Sequence, residues 1–288
     1  MQPDAAGSLV ASSVRRELMM TLIFDLDGTL VVEEASAEAA LRATCVLAQK
    51  HNGVNPEALY VRIRESCRTF WHESPVRQYC LSIGISSWEG LWAEFCGDDE
   101  NLHILAEWAP TYRKNSWQEA LRQCGFGDDE TLAKELSETY VRERRKRHIV
   151  YDDVLPTLEH FGQSCRLGLL TNGAPDLQRA KLEGSGLGIF FDTIVISGEV
   201  GFGKPDPRIF KLALARLDTK PEAAVMVGNS LKSDMSPAME IGMMAIWVNR
   251  EGKVGDKSIV PNAEVADLTK LKDIFEQDLA RDGLKPRP

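Results

Sequence analysis

The chain has 288 residues, of which 43% are hydrophobic and 27% are charged. This composition is typical of globular proteins and differs from that of disordered or collagen-like chains. The formal net charge of -9 has the wrong sign for a protein that coats nucleic acid or anionic membranes, so we expect neither as a partner. The six cysteines form no C-x-x-C pair, and no apolar run approaches the roughly 20 residues that span a bilayer, which predicts reduced thiols in a cytoplasmic protein.

The first elements in the chain are an arm and a strand. Residues 1 to 18, rich in Ala, Ser and Gly, are predicted to form a flexible N-terminal arm. A short β-rich apolar run follows at 22–24. Runs of the same kind recur in the C-terminal half at 167–170, 193–196, 224–227 and 245–248. Because loops and amphipathic stretches separate these runs, the pattern predicts a parallel α/β sheet.

Residues 33 to 150 have a helical period and few strand signals, as shown by Leu132, Leu136 and Tyr140 at four-residue spacing. Five helices are predicted here: Ala35 to Gln49, Pro56 to Trp71, Trp88 to Phe95, Leu102 to Cys124 and Asp129 to His148. The sequence therefore predicts a helical insertion at 33–150 within an α/β core formed by 19–32 and 151–288.

One helix in the C-terminal half has a clear start signal. Asp206 is a favourable N-cap residue, and Pro207 follows it at the first helical position. Phe210, Ala213 and Leu214 then fall on one face. We expect a helix that begins just after Lys204.

The stretch Phe24-Asp25-Leu26-Asp27-Gly28-Thr29 places two carboxylates at the end of the first strand. Side chains two residues apart on a strand project to the same side, at the edge where parallel sheets bind ligands. Two like charges this close need a cation or a shared proton between them. The stretch therefore predicts a Mg²⁺ site.

Four segments in order resemble the motifs of the haloacid dehalogenase-like (HAD) hydrolases. They are the D-x-D-G-T stretch, Leu169 to Gly173, Gly203 to Pro207, and Val227 to Asp234. One such match is weak evidence, whereas four in sequence order are strong evidence. The resemblance implies a doubly wound, Rossmann-like α/β core with an inserted all-helical cap domain, and an enzyme of the phosphatase type.

The resemblance also implies a role for each matching residue. Asp25 would be the nucleophile, and Asp27 would act as general acid and then as general base. Thr171 and the amide region of Asn172 would hold the phosphoryl oxygens, and Lys204 would offset their charge. Mg²⁺ would bind Asp25, the carbonyl of Asp27 and the side chain of Asn229, with Asp234 orienting a metal-bound water or Lys204.

Asn229 departs from the phosphatase pattern, which usually has Asp at this position. An amide oxygen ligates Mg²⁺ without adding charge, so we expect weaker metal binding unless Asp234 compensates. Two alternatives stay open. One is a haloacid-type dehalogenase, although such members typically lack the second acid that Asp27 supplies. The other is a non-catalytic phospho-ligand-binding or regulatory protein.

The insertion resembles the caps of small-metabolite phosphatases, including the N-acylneuraminate-9-phosphatase group, particularly at Ile85 to Glu89. A closing lid favours a small phosphorylated metabolite as the substrate. The basic run at 142–147 is interpreted as the solvated end of a helix and not as a nucleic-acid site. The sequence is compatible with a monomer or a homodimer.

Overall fold

The computed structural model describes residues 20–127 and 129–275. The prediction of an arm at residues 1 to 18 lies outside this part of the chain. Within the described ranges, every helix is too short or too polar to cross a membrane.

Six parallel strands of the described chain form one sheet in the order β3-β2-β1-β4-β5-β6. Their bounds are Thr21–Phe24 (β1), Arg166–Thr171 (β2), Thr193–Ile196 (β3), Ala224–Gly228 (β4), Met244–Val248 (β5) and Ala263–Val265 (β6). The five predicted strands are confirmed. The sixth was not predicted, because its three residues include an exposed glutamate and give no apolar run.

Both faces of the sheet are buried, so its central strands are continuously apolar. Leu22 and Phe24 of β1 point to a hydrophobic cluster on one face, and Ile23 points to a second cluster on the other. The first cluster is covered by the helices Val154–Phe161 (α7) and Pro175–Ser185 (α8). This arrangement, with helices on both faces, confirms the predicted doubly wound α/β class.

The second cluster is covered by Pro207–Arg216 (α10) and Ser236–Glu240 (α11). The predicted start of α10 is confirmed, since the Asp206 carboxylate accepts a hydrogen bond from the N–H of Arg208 at 2.9 Å. A four-residue helix, Ser197–Val200 (α9), follows β3, and a π-helical turn, Leu231–Met235, follows β4. Single 3₁₀ turns occupy Leu187–Phe190, Pro221–Ala223 and Leu268–Lys270.

Helices fill the segment between β1 and β2. They are Glu33–Asn52 (α1), Pro56–Trp71 (α2), Arg77–Ile83 (α3), Ser87–Gly90 (α4), Glu100–Gln123 (α5) and Glu130–Arg145 (α6). They share a hydrophobic cluster built around Trp92, Trp117 and Tyr112. The cluster also takes in Ala174 and Leu177, so the helical segment packs on the chain that leaves the carboxyl end of β2. The division into a core and a cap domain stays a prediction that this packing supports.

One predicted helix, Trp88 to Phe95, is wrong. Only the turn Ser87–Gly90 is helical, started by a capping box in which Ser86 and Glu89 bond each other's backbone. A Cβ on Gly90 would lie 2.4 Å from the ring of Trp71, so only glycine fits there. The following apolar residues are buried without a helical stripe, and Phe95 adopts a φ of 57°.

Candidate active site

All seven predicted site residues line one cavity of about 720 Å³. They are Asp25, Asp27, Thr171, Asn172, Lys204, Asn229 and Asp234. The cavity lies where the chain leaves β1, β2 and β4, with helices α1, α2 and α4 forming part of its wall. The structure therefore brings together residues that are separated by as many as 209 positions in the sequence.

The loop after β1 holds Asp25 in a fixed position. The Asp25 N–H donates to the Val227 carbonyl at 2.9 Å, which extends the pairing between β1 and β4. The Thr29 hydroxyl donates to Asp25 Oδ2 at 3.1 Å. Gly28 makes the turn with a φ of 77°, and a Cβ there would lie 2.2 Å from Asn229 Nδ2. The turn therefore requires glycine for both its conformation and its contact.

Lys204 lies between two buried carboxylates. Its Nζ is 2.5 Å from Asp25 Oδ1 and 2.7 Å from Asp234 Oδ1. Burial disfavours the ammonium, but Asp234 and Asp25 outweigh this effect and raise the pKa of Lys204. Burial raises the pKa of Asp25 above its usual value, and the Lys204 ammonium opposes that rise. Lys204 therefore stays charged beside Asp25.

Asn172 fixes the backbone of Lys204. Its Oδ1 accepts from the Lys204 N–H and its Nδ2 donates to the Lys204 carbonyl, both at 2.8 Å. The side chain of Asn172 is therefore used for positioning Lys204, and the predicted phosphoryl binding in this region stays a prediction. The Thr171 hydroxyl is buried and lies 3.4 Å from the Asn172 carbonyl.

Asp27 is held by a second buried lysine, which sequence reasoning missed. Lys181 Nζ lies 3.0 Å from Oδ1 and 2.9 Å from Oδ2 of Asp27. Gln178, one turn earlier on α8, donates to Oδ2 at 2.9 Å. Lys181 Nζ is also 3.3 Å from Glu33 and 3.6 Å from Glu89. One ammonium thus links the β1 loop with the starts of α1 and α4.

The three carboxylates around Lys181 titrate differently. Burial raises the pKa of Asp27 above its usual value, partly offset by Lys181. Burial also raises the pKa of Glu89 to about 7. Glu33 is desolvated as well, but Lys181 and Arg144 outweigh this and lower its pKa to about 2. The cluster therefore keeps Glu33 ionised and favours a proton on Asp27 or Glu89.

The basic run at 142–147 is not wholly solvated, which corrects the interpretation of this segment. Arg144 is 1% exposed, pairs with Glu33 and stacks on the ring of Trp92. Arg145 pairs with Glu94. The last turn of α6 packs against other parts of the helical segment, and carboxylates there neutralise both arginines.

The residues near Asn229 fit a hard divalent cation. The side-chain amide of Asn229 lies against Gly28, and the backbone carbonyl of Asn229 accepts a hydrogen bond from Trp247 Nε1 at 2.9 Å. Asp25, the Asp27 carbonyl and the Asn229 amide offer only oxygen donors, which Mg²⁺ prefers. In the described ranges no cluster of three His, Cys, Asp or Glu side chains could hold a metal, so a bound cation would also have to use backbone or amide oxygens.

Asp234 contacts Lys204 and the backbone of Ser230. Besides Lys204, it accepts from the Ser230 N–H at 2.9 Å through Oδ2. Both of its oxygens therefore have protein partners, and the structure places Asp234 where it orients Lys204.

Two aspartates and two buried lysines lie at the carboxyl edge of a doubly wound sheet, and comparison with known proteins identifies the family. The family model for haloacid dehalogenase-like hydrolases matches residues 19–242. The chain belongs to this family, and the predicted resemblance is confirmed.

Curated relatives of the chain are phosphatases. A phosphoserine phosphatase from Thermus thermophilus is 37% identical over 254 residues, covering 88% of this chain and 98% of that protein. An N-acylneuraminate-9-phosphatase from Mus musculus is 34% identical over 62% of this chain and 73% of that protein. These matches support the predicted enzyme class, a phosphomonoesterase.

Solved structures share the fold. A HAD-hydrolase, YfnB from Bacillus subtilis bound to magnesium, has a TM-score of 0.62 at 22% identity and covers 89% of this chain and 98% of its own. A 2-haloacid dehalogenase from Pseudomonas syringae has a TM-score of 0.57 at 25% identity over 90% of this chain and 99% of its own.

Proposed function

We propose that the protein is a Mg²⁺-dependent phosphatase that hydrolyses a small phosphorylated metabolite through an aspartyl-phosphate intermediate on Asp25. The observation that carries the proposal is the position of Asp25, at the carboxyl edge of the central strand with Lys204 Nζ at 2.5 Å. The curated phosphatases of the family support the same chemistry.

The side chains suit a two-step transfer. In the first step an oxygen of Asp25 bonds to phosphorus, the bond from phosphorus to the leaving oxygen breaks, and Asp27 gives that oxygen a proton. In the second step Asp27 takes a proton from water, whose oxygen bonds to phosphorus and releases Asp25 and inorganic phosphate. A raised pKa favours the protonated form of Asp27 that the first step needs.

Lys204 and the backbone after β2 stabilise the transferring group. The Lys204 ammonium, held by Asp234 and by the Asn172 side chain, supplies positive charge beside Asp25 without rearrangement. The Thr171 hydroxyl and the N–H groups of the following turn would bind phosphoryl oxygens.

Asp25, the carbonyl of Asp27 and the side chain of Asn229 would hold Mg²⁺. When bound, the cation would reduce the repulsion between the phosphoryl group and the carboxylate that attacks it. Because Asn229 is neutral, the protein contributes one negative charge fewer than the usual Asp would. Asp234, committed to Lys204 and Ser230, does not replace that charge.

The helical segment 33–150 would act as a cap over the cavity. The cavity volume of about 720 Å³ suits a small metabolite. We place the enzyme in the cytoplasm, in keeping with six free thiols, four of them buried. The predicted monomer or homodimer stays a prediction.

The test is phosphate release from p-nitrophenyl phosphate and a panel of phosphorylated metabolites, with and without Mg²⁺. We expect Mg²⁺-dependent turnover that Asp25→Asn abolishes. The matched control is Asp273→Asn, which changes an exposed aspartate paired with Lys270 and should leave activity intact.

Two other results would overturn the proposal. Halide release from 2-haloacids without Mg²⁺ would favour the dehalogenase. Phosphate binding without turnover of any substrate would favour a binding or regulatory protein.

A further inference from the structure

One wall of the cavity carries two arginines on a single helix face. Tyr60, Arg64 and Arg68 follow one another at four-residue spacing on α2, and all three line the cavity together with Trp88 of α4. Residues four apart on a helix are neighbours on its surface. The cavity that contains Asp25 therefore has a second positively charged wall, formed by the helical segment.

Neither Arg64 nor Arg68 forms an ion pair with a carboxylate of residues 20–127 and 129–275, although Arg64 helps Arg42 to lower the pKa of Glu38, which also lines the cavity. By contrast, Arg42 pairs with Glu38 and Glu57, and Arg62 pairs with Glu65. Two like charges at this spacing destabilise a helix unless an anion compensates them. The pair is therefore suited to receive an anionic group from a ligand.

Aromatic rings hold both guanidinium groups. Arg64 lies 5.3 Å from the ring centroid of Tyr60 and 5.3 Å from that of Trp88, and it donates to the Tyr60 hydroxyl at 3.0 Å. Arg68 lies 5.7 Å from the Trp88 ring. Stacking uses the face of a guanidinium and leaves N–H edges to form paired hydrogen bonds with a carboxylate.

We propose that Arg64 and Arg68 bind a carboxylate of the substrate, so that the enzyme prefers phosphomonoesters of carboxylic acids. The inference rests on the proposed function and names its substrate class. A carboxylate fits better than a second phosphate, because Glu34, Glu38 and Glu251 line the same cavity and would repel a dianion more strongly than a single negative charge.

The test compares substrates that differ in the carboxylate. One pair is 3-phosphoglycerate and glycerol 3-phosphate, and the other is O-phosphoserine and phosphoethanolamine. We expect kcat/KM to be at least roughly tenfold higher for the acid in a pair. Arg64→Gln with Arg68→Gln should lower kcat/KM for that acid by roughly tenfold to a hundredfold, and should lower kcat/KM for its carboxylate-free partner by a much smaller factor.

Arg62→Gln is the matched control, because Arg62 lies on the same helix, is exposed and does not line the cavity. This variant should leave kcat/KM unchanged for both members of each substrate pair. Turnover of p-nitrophenyl phosphate shows separately whether each variant is folded and whether the proposed function holds. If the unaltered enzyme turns over neither p-nitrophenyl phosphate nor any phosphorylated metabolite, the proposed function fails.

If the enzyme does turn over p-nitrophenyl phosphate, three outcomes would overturn the proposed carboxylate subsite and leave the proposed phosphatase function intact. They are equal kcat/KM within both substrate pairs of the unaltered enzyme, a preference for the acid that survives in the double variant, and a higher kcat/KM for a bisphosphate than for the acids. The first and third need no variant, so they do not depend on how the substitutions affect folding.

Discussion

Two buried lysines hold the two aspartates of the β1 loop, and they do so in different surroundings. Lys204 lies between Asp25 and Asp234, all within the α/β layer. Lys181 lies among Asp27, Glu33 and Glu89, and the two glutamates belong to α1 and α4 of the helical segment. The Lys204 cluster therefore forms within one layer, whereas the Lys181 cluster joins two.

The two clusters also share a feature. With every acid ionised, Lys204 meets two carboxylates, and Lys181 together with Arg144 meets three. Each cluster then carries one excess negative charge in a site largely shielded from water, which is costly unless a cation or a proton neutralises it. We interpret the excess negative charge near Asp25 as the reason that the site binds Mg²⁺. The excess negative charge near Asp27 is the reason that Asp27 or Glu89 holds a proton.

The largest effect should come from Lys204→Met. It leaves Asp25 and Asp234 buried without their cation, so we expect a loss of about 3–5 kcal/mol in the free energy of unfolding. We also expect kcat/KM for p-nitrophenyl phosphate to fall by at least about a hundredfold. Urea unfolding and steady-state kinetics measure the two effects. Lys211→Met, an exposed lysine on α10, should show neither, and full activity in Lys204→Met would remove this lysine from the mechanism.

Lys181→Met should distinguish the role of the Lys181 cluster from that of the Lys204 cluster. We expect a similar loss of stability, but a smaller loss of p-nitrophenyl phosphate turnover, because Asp25 and Lys204 keep their contacts. Without the ammonium that opposes the rise, the pKa of Asp27 should move further up. The descending limb of kcat/KM against pH for glycerol 3-phosphate should therefore shift to higher pH. Lys134→Met, an exposed lysine of α6, should not shift it, and an unchanged limb in Lys181→Met would contradict the link to Asp27.

Glu89→Gln tests the proton in the second cluster. Burial raises the pKa of Glu89 from its ordinary value of 4.5 to about 7, so over this range the folded state holds a proton that the unfolded state releases. Stability should therefore fall as pH rises from about 4.5 to about 7. Glutamine removes this dependence, so the variant should gain stability relative to the parent over that window, by up to about 3 kcal/mol.

Urea unfolding at pH 5, 6 and 7 measures this difference for Glu89→Gln. Glu73→Gln, which changes an exposed glutamate, should run parallel to the parent at each pH. A gap between Glu89→Gln and the parent that does not grow with pH would show that Glu89 is ionised throughout.

The smallest effect should come from Asn229→Asp. A carboxylate in place of the amide adds a negative ligand beside Asp25, so the Mg²⁺ concentration for half-maximal activity should fall by roughly tenfold. A Mg²⁺ titration of p-nitrophenyl phosphate turnover measures it. An unchanged titration curve would place the Asn229 side chain outside the metal's coordination shell.

Most of the sheet and the Lys204 cluster could be predicted from the sequence, because both depend on short local patterns. Apolar runs marked the strands β1 to β5, and motif residues at the strand ends marked Asp25, Asp27 and Lys204. Their convergence follows from the geometry of a parallel sheet, in which the carboxyl ends of the strands share one edge.

The Lys181 cluster could not be predicted in the same way. Asp27 and Lys181 are 154 residues apart, and their contact depends on how α8 packs against the β1 loop. The available signal was the i, i+3 spacing of Gln178 and Lys181 just after the second motif. The segment 88–95 misled the helix prediction for a related reason, since its apolar residues are buried by several neighbouring elements.

Acid quenching during turnover tests the central claim most directly. A ³²P-labelled phosphomonoester is mixed with enzyme and Mg²⁺, quenched in acid within the first turnover, and the protein is digested for peptide mapping. We predict an acid-stable label on the peptide that contains Asp25, absent from Asp25→Asn. Turnover with no label on the protein, or with the label on another residue, would contradict the account.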